Sequence, residues 1–254
     1  MLSFHQVCAG YGKTLVLDRI DFTLAPHAMT AVVGRNGSGK STLVSCVNRK
    51  LPYTGEISFS GRSLASMTPR EQAKRIAILP QTLPSPAVTV EELAAFGRSP
   101  YLDFGKRLSP KDKQLVREAL ETVGIAGLRH KLLTELSGGE RQKAYLAMML
   151  AQDTDVLLLD EPTTYMDIQY ESAFFRLLER LKTEKGITLL VILHNLSQAV
   201  RYADRIVVLD GGLVCYQGDA QSCADSGVLE SVFHVKRHSV VENGRRLDFY
   251  TAGE

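Results

Sequence analysis

The chain has 254 residues, which is enough for one α/β domain with a smaller subdomain, and we expect no second independent domain. Its 30 basic and 28 acidic residues leave a formal charge of +2, too small for the positive field that non-specific nucleic-acid binding requires, so we expect no nucleic-acid partner. Nothing at its start has the pattern of a signal peptide, and its longest apolar stretches, Val156–Leu159 and Ile187–Leu193, fall far short of the roughly 20 residues that cross a bilayer.

The most specific pattern is "GRNGSGKST", which fits G-x-x-x-x-G-K-[ST] with its lysine at Lys40. An apolar run, Met29–Val33, predicts a strand before the loop, and Lys40–Val47 is compatible with a helix after it. Backbone N–H groups would surround a β-phosphate, Lys40 would neutralise the β- and γ-phosphates, and Ser41 would coordinate Mg²⁺. The residues predicted to bind ATP here are Gly34, Arg35, Asn36, Gly37, Ser38, Gly39, Lys40, Ser41 and Thr42.

A helical pattern follows the Pro-rich stretch "LPSPAVTV". Within it, Ser109 is placed to cap a helix that begins at Pro110. We expect residues 84–153 to form an inserted helical subdomain, and residues 1–83 and 154–254 to form the nucleotide-binding core. Strands alternate with helices in that core, which predicts a parallel, helix-flanked sheet.

The stretch "LSGGE" places a polar, flexible turn at the start of a predicted helix. Gly138 and Gly139 allow a ligand to approach the backbone closely, and the N–H groups that open a helix attract an anion. With Ser137, this turn is a candidate phosphate contact.

A short apolar run, "DVLLLDEP", predicts a strand buried on both faces that ends in two acids. Alternation along a strand would point Asp160 and Glu161 in different directions. Asp160 would then reach Mg²⁺ through water, and Glu161 would act as general base toward the attacking water. The alternative is a strand that simply ends in an acidic turn.

The last part of the chain offers weaker patterns. "VVLDGGLVCYQG" predicts a hairpin through Gly211–Gly212, and a short helical and strand-like appendage is expected after Gly218. His234 and His238 lie four residues apart without an acidic partner at useful spacing, which favours surface or packing histidines over metal ligands.

With Gly34–Thr42, Leu136–Glu140 and Asp160–Glu161 assembled, the sequence resembles the nucleotide-binding subunits of ABC transporters over nearly its full length. The resemblance implies the P-loop NTPase fold of ABC ATPases, with a mostly parallel core sheet, an antiparallel β subdomain and an inserted helical subdomain. It also implies ATP hydrolysis in a dimer with two ATP molecules. In such a dimer, Ser137 and Gly139 of one chain would contact the γ-phosphate held by the other.

Single residues match further family elements. Tyr11 is similar to the aromatic residue that stacks on adenine, and Gln81 to the glutamine that contacts Mg²⁺ and water and senses the membrane partner. Asp167 matches the aspartate that crosses the dimer interface, and His194 the switch histidine near the γ-phosphate. The family usually has aspartate after that histidine; here Asn195 follows, and we expect it to cap the next helix.

The segments Asp160–Glu171, Leu79–Leu102 and His194–Gly212 look most like importer subunits for iron chelates, haem and cobalamin. Ferric siderophore import is the first hypothesis, with haem or cobalamin next. The resemblance implies a second copy of the chain and membrane permease subunits that dock at the helical subdomain. A periplasmic or lipid-anchored binding protein would take part indirectly, and the chain would lie peripherally at the cytoplasmic face of the inner membrane.

A non-transport ABC ATPase of a soluble complex is the alternative. The chain has no room for a long coiled coil between Ser41 and Leu136, which argues against a chromosome-maintenance protein, and it has one cassette where translation-type members have two. Members of the iron–sulfur cluster assembly type have a similar length, so length does not exclude this alternative. The stretch Leu136–Glu140, which we call the signature, argues against an isolated soluble kinase.

Overall fold

The structure, a computed structural model, describes residues 1–103, 107–163, 166, 168–242 and 245–253. The strands, in chain order, are β1 (Leu2–Tyr11), β2 (Thr14–Thr23), β3 (Met29–Gly34), β4 (Tyr53–Phe59), β5 (Arg62–Ser63), β6 (Ile76–Leu79), β7 (Val156–Asp160), β8 (Thr188–Ile192), β9 (Arg205–Asp210), β10 (Leu213–Asp219), β11 (Val235–Glu242) and β12 (Arg245–Ala252). The α-helices are α1 (Lys40–Val47), α2 (Pro69–Ala73), α3 (Val90–Phe96), α4 (Pro110–Thr122), α5 (Gly138–Ala151), α6 (Ile168–Lys185), α7 (Leu196–Tyr202), α8 (Ala220–Asp225) and α9 (Val228–Phe233).

The chain forms two compact units, which we call unit 1 (Met1–Ser66 with Thr188–Glu254) and unit 2 (Met67–Ile187). The predicted boundaries 1–83, 84–153 and 154–254 differ from these units and stay a prediction. No helix in the described part of the chain is long and apolar enough to span a membrane.

Unit 1 combines parallel and antiparallel pairing. β3 pairs in parallel with β8 on one side and with β9 on the other, and every residue of β3 is buried. β10 adds to β9 as the predicted hairpin through Gly211–Gly212. A separate antiparallel sheet runs in the order β2-β1-β4-β5, and β11 and β12 form a two-stranded hairpin. Together with the parallel pair in unit 2, this confirms a mixed α/β fold with a parallel core and antiparallel sheets.

Unit 2 contains the parallel pair β6 and β7, with Ile76 opposite Val156 and Leu79 opposite Leu159. Helices α3, α4 and α5 pack on one another. The helix start predicted from the sequence is confirmed at α4, where the Ser109 side chain accepts a hydrogen bond from a backbone N–H of the first turn.

Arg98 is a buried cation that joins three elements of unit 2. It follows α3, and its Nε donates to Asp112 Oδ1 in the first turn of α4 over 2.9 Å. Its Nη1 donates to the carbonyl of Ala151 at the end of α5 over 2.7 Å, and the guanidinium lies 3.9 Å from the centroid of the Tyr101 ring. Hydrogen bonds from Ser109, and then from Arg98, hold the pKa of the Asp112 carboxyl below its ordinary value.

Replacing Arg98 by methionine is expected to destabilise the protein by about 3–5 kcal/mol. The substitution leaves the Asp112 carboxylate, on a side chain that is only 12% exposed, without its cation. Urea unfolding at neutral pH measures the effect. Arg117→Met, on the exposed face of α4, is the matched control and should change stability by no more than about 0.5 kcal/mol. Equal effects of the two substitutions would contradict this role of Arg98.

Candidate nucleotide site

The glycine-rich loop between β3 and α1 adopts, at two of its glycines, a backbone conformation that other residues rarely tolerate. Gly37 and Gly39 have φ angles of 82° and 105°, in the left-handed region that side chains rarely adopt. A Cβ at Gly39 would collide with Leu17, and one at Gly34 would collide with the carbonyl of Leu209. The loop therefore packs closely against β2 and β9, and α1 begins directly after it.

Lys40 is buried at the centre of this loop. Its Nζ donates to the carbonyl of Gly34 over 2.6 Å and to the carbonyl of Arg35 over 3.0 Å. The Oγ of Ser38 is also buried, and it has no hydrogen-bond partner in the part of the chain that the structure describes. Burying a hydroxyl group without a hydrogen-bond partner costs free energy, so this atom indicates a site for a polar ligand. An ammonium and an unsatisfied hydroxyl in one loop fit a phosphate group.

Two further predicted residues of unit 1 lie at strand ends. Tyr11 ends β1 and is 55% exposed, so its ring is available for stacking. His194 follows β8 and is exposed. The predicted cap after it is confirmed, because Asn195 Oδ1 accepts a hydrogen bond from the N–H of Gln198 over 3.2 Å at the start of α7.

In unit 2 the two acids after the apolar run differ from the predicted arrangement. Asp160 is the buried last residue of β7, but Glu161 already lies outside the strand with a φ of 51°. Strand alternation therefore does not orient Glu161; a left-handed backbone turn does. This turn allows Gln81 Nε2 to donate to Glu161 Oε2 over 2.6 Å. The sequence suggested both residues but carried no signal for their contact.

Ser137 is the N-cap of α5 and forms a reciprocal pair with Glu140. Its N–H and hydroxyl donate to Glu140 Oε2 over 2.9 and 2.8 Å, and these hydrogen bonds hold the pKa of the Glu140 carboxyl below its ordinary value. The predicted polar turn at a helix start is confirmed. The ring of Tyr170 packs beside Gly139, at ordinary van der Waals distance from where a Cβ would lie.

Part of the predicted site lies outside the described residues. Asp167, the predicted interface aspartate, is in this group, as are Thr164 and Tyr165. Within the described ranges, no group of three or more His, Cys, Asp and Glu side chains is arranged to hold a metal ion.

Comparison with known proteins gives a consistent result. The sequence model of the ABC transporter family matches residues 17–164. The iron(3+)-hydroxamate import ATP-binding protein FhuC of Bacillus subtilis (strain 168) is 35% identical over 243 residues, which cover 95% of this chain and 90% of the relative. The ferric enterobactin transport ATP-binding protein FepC of Escherichia coli (strain K12) is 36% identical over 234 residues, 91% of this chain and 86% of the relative.

A solved structure has the same fold. The inward-facing conformation of an ABC transporter assigned to the metal-chelate type contains a chain that matches with a TM-score of 0.86 and 25% identity. The match covers 98% of this chain and 96% of that one.

Proposed function

Because the chain belongs to the ABC transporter family, whose activity is ATP hydrolysis, we propose that it powers import of a ferric siderophore through a separate membrane permease. The observation that supports a ferric siderophore as the cargo is a sequence similarity. Over more than nine-tenths of its length, the chain is similar to subunits named for ferric hydroxamate and enterobactin transport. A chelate of this kind is too large and polar to cross a bilayer by diffusion, and because it is scarce outside, its accumulation requires an energy source.

The phosphate loop binds ATP. Lys40 neutralises the β- and γ-phosphates, the unpaired Oγ of Ser38 gains a phosphate oxygen as partner, and Tyr11 stacks on adenine. The side chains of Ser41 and Asp160 would provide oxygen atoms, the ligand type that Mg²⁺ prefers, and Gln81 would add its amide oxygen. When bound, Mg²⁺ would supply positive charge to the phosphates.

Glu161 is the general base. Its carboxylate takes a proton from the attacking water, and the Gln81 amide, which donates to the same carboxylate, fixes its orientation. His194 acts near the γ-phosphate, where an imidazole donates a hydrogen bond or carries charge. Asn195 replaces the carboxylate that usually follows this histidine, so the surroundings of His194 are less negative here.

Two copies of the chain close around two ATP molecules. Ser137, Gly138 and Gly139 at the start of α5 contact the γ-phosphate bound by the other copy, because a helix N-terminus attracts an anion. Asp167 completes this interface. Permease subunits dock on residues 84–153, which places the chain peripherally at the cytoplasmic face of the membrane.

Replacing Ser137 by arginine is expected to abolish ATP-driven dimerisation while leaving ATP binding by the single chain within about twofold. The bulky cation would occupy the space of the γ-phosphate that is bound by the partner. Size-exclusion chromatography with and without ATP, together with equilibrium ATP binding, measures both effects.

Ser109→Arg is a matched control, since Ser109 caps α4 in the same reciprocal manner as Ser137 caps α5. This control should still dimerise. Mixed chains of Ser137→Arg and Lys40→Ala should rebuild at most one site per pair. Dimers of Ser137→Arg that form normally on ATP addition would contradict a role of the signature across the interface.

Gene deletion tests the cargo. Cells that lack this chain are grown with iron chelated away, and one ferric siderophore, haem or cobalamin is supplied at a time. We expect loss of growth and of labelled-chelate uptake for a ferric siderophore, and recovery on re-expression of the chain but not of its Glu161→Gln variant. A defect confined to haem or cobalamin would reassign the cargo. Normal uptake of all three, with the chain found in a soluble complex, would favour cluster assembly instead.

A further inference from the structure

His234, the residue between α9 and β11, contacts the phosphate loop. The Nη1 of Arg35 lies 3.4 Å from the Nε2 of His234. A guanidinium only donates hydrogen bonds, so Nε2 of His234 is the acceptor. The carbonyl of Arg35 in turn accepts a hydrogen bond from Lys40 Nζ. Two hydrogen bonds therefore connect the carboxyl-terminal segment with the lysine at the centre of the loop.

The backbone of His234 is held in an unfavourable conformation by the hairpin that follows it. Its φ and ψ angles are 54° and 49°, in the left-handed region that is costly for a residue with a Cβ. The N–H of Gly253 donates to the carbonyl of His234 over 3.0 Å, and Val235 pairs with Ala252 at the base of the hairpin. The hairpin thus holds the backbone from which the imidazole projects.

The same hairpin supports a second segment with a proposed role at the nucleotide. β12 packs against α7, the helix that Asn195 caps directly after His194. The hairpin and the residue directly before it, His234, therefore contact both the helix behind His194 and the first half of the phosphate loop.

We propose that hairpin β11–β12 is a positioning element for the nucleotide site, and that His234 acts through Arg35 to hold the phosphate loop in its binding conformation. This inference rests on the proposed function. The physical reason is preorganisation, because a loop that is already ordered loses less conformational entropy when phosphate binds.

Replacing His234 by glycine separates a positioning role from a structural one. Glycine tolerates the left-handed backbone, so we expect the melting temperature to be retained or raised. The affinity for Mg²⁺–ADP, measured by isothermal titration calorimetry, should nevertheless fall about two- to tenfold, the effect of losing one hydrogen bond. ADP is the probe because it neither hydrolyses nor requires a second chain.

Three variants complete the test. His234→Gln restores an acceptor and should recover most of the affinity. Arg35→Ala combined with His234→Gly should bind no more weakly than Arg35→Ala alone, because both substitutions break one contact. His238→Thr, in the same hairpin but stacked on Phe249, is the control and should bind like the unchanged chain.

Unchanged affinity of His234→Gly, additive effects in the double variant, or an equal loss in His238→Thr would each overturn the inference. If the unchanged chain itself fails to bind Mg²⁺–ADP, the proposed function and this inference fail together. If the unchanged chain binds, Lys40→Ala does not, and His234→Gly binds normally, the inference alone fails.

Discussion

Replacing Glu161 by glutamine is expected to lower ATP turnover by about 10²- to 10⁴-fold while ATP binding stays intact. The glutamine carbonyl still accepts the hydrogen bond that Gln81 donates over 2.6 Å, so the local geometry is preserved. What is lost is a carboxylate that accepts a proton from water. Phosphate release at saturating ATP measures turnover, and the variant should accumulate as an ATP-bound dimer on a sizing column.

Glu118→Gln provides the matched control, since Glu118 is an exposed carboxylate on α4 in the same unit. It loses the same charge and should hydrolyse ATP at the normal rate. Normal turnover in Glu161→Gln would mean that Glu161 is only a turn residue after β7.

Replacing Lys40 by alanine is expected to weaken ATP binding by about 10²- to 10⁴-fold. Under the proposed function, the buried ammonium would face several phosphate charges and make two or more charge-assisted hydrogen bonds, each contributing about 1.5–3 kcal/mol. Equilibrium binding at physiological salt measures the loss. Lys40→Met is a second variant that keeps most of the side-chain volume, so a loss of binding in both points to the missing charge.

Lys50→Ala removes the same charge from an exposed position just after α1 and serves as the control. Its ATP affinity should stay within about twofold of the unchanged chain. If Lys40→Ala is folded, as verified by circular dichroism, and binds ATP with unaltered affinity, the assignment of the loop as the phosphate-binding site is wrong.

The local conformation of the glycine-rich loop, between a strand and a helix, could be predicted because its backbone leaves little choice of residue. The left-handed φ angles at Gly37 and Gly39 favour glycine, and the buried ammonium of Lys40 finds its acceptors in carbonyls of the loop itself. Helix starts were also predictable, as at Ser109 and Asn195, because a cap is a contact between near neighbours in sequence.

Contacts between distant residues could not be predicted in this way. Gln81 and Glu161 are 80 positions apart, and Arg35 and His234 are 199 apart, so no local pattern relates them. Strand periodicity also gave the wrong basis for orienting Glu161, because the strand ends one residue earlier and a left-handed turn takes over. Periodicity predicts side-chain directions within a strand or helix, but not at the first residue after it ends.

The reciprocal cap between Ser137 and Glu140 has a consequence for closure of the dimer. The serine hydroxyl has a single hydrogen, and in the isolated chain that hydrogen is already donated to a carboxylate, as is the N–H of the same residue. A γ-phosphate arriving from the partner must take the place of Glu140 as acceptor, so closure exchanges one anion for another and gains no hydrogen bond at Ser137. Under the proposed mechanism, the driving force for closure then comes from other contacts, and the signature serine contributes selectivity for a third phosphate more than affinity.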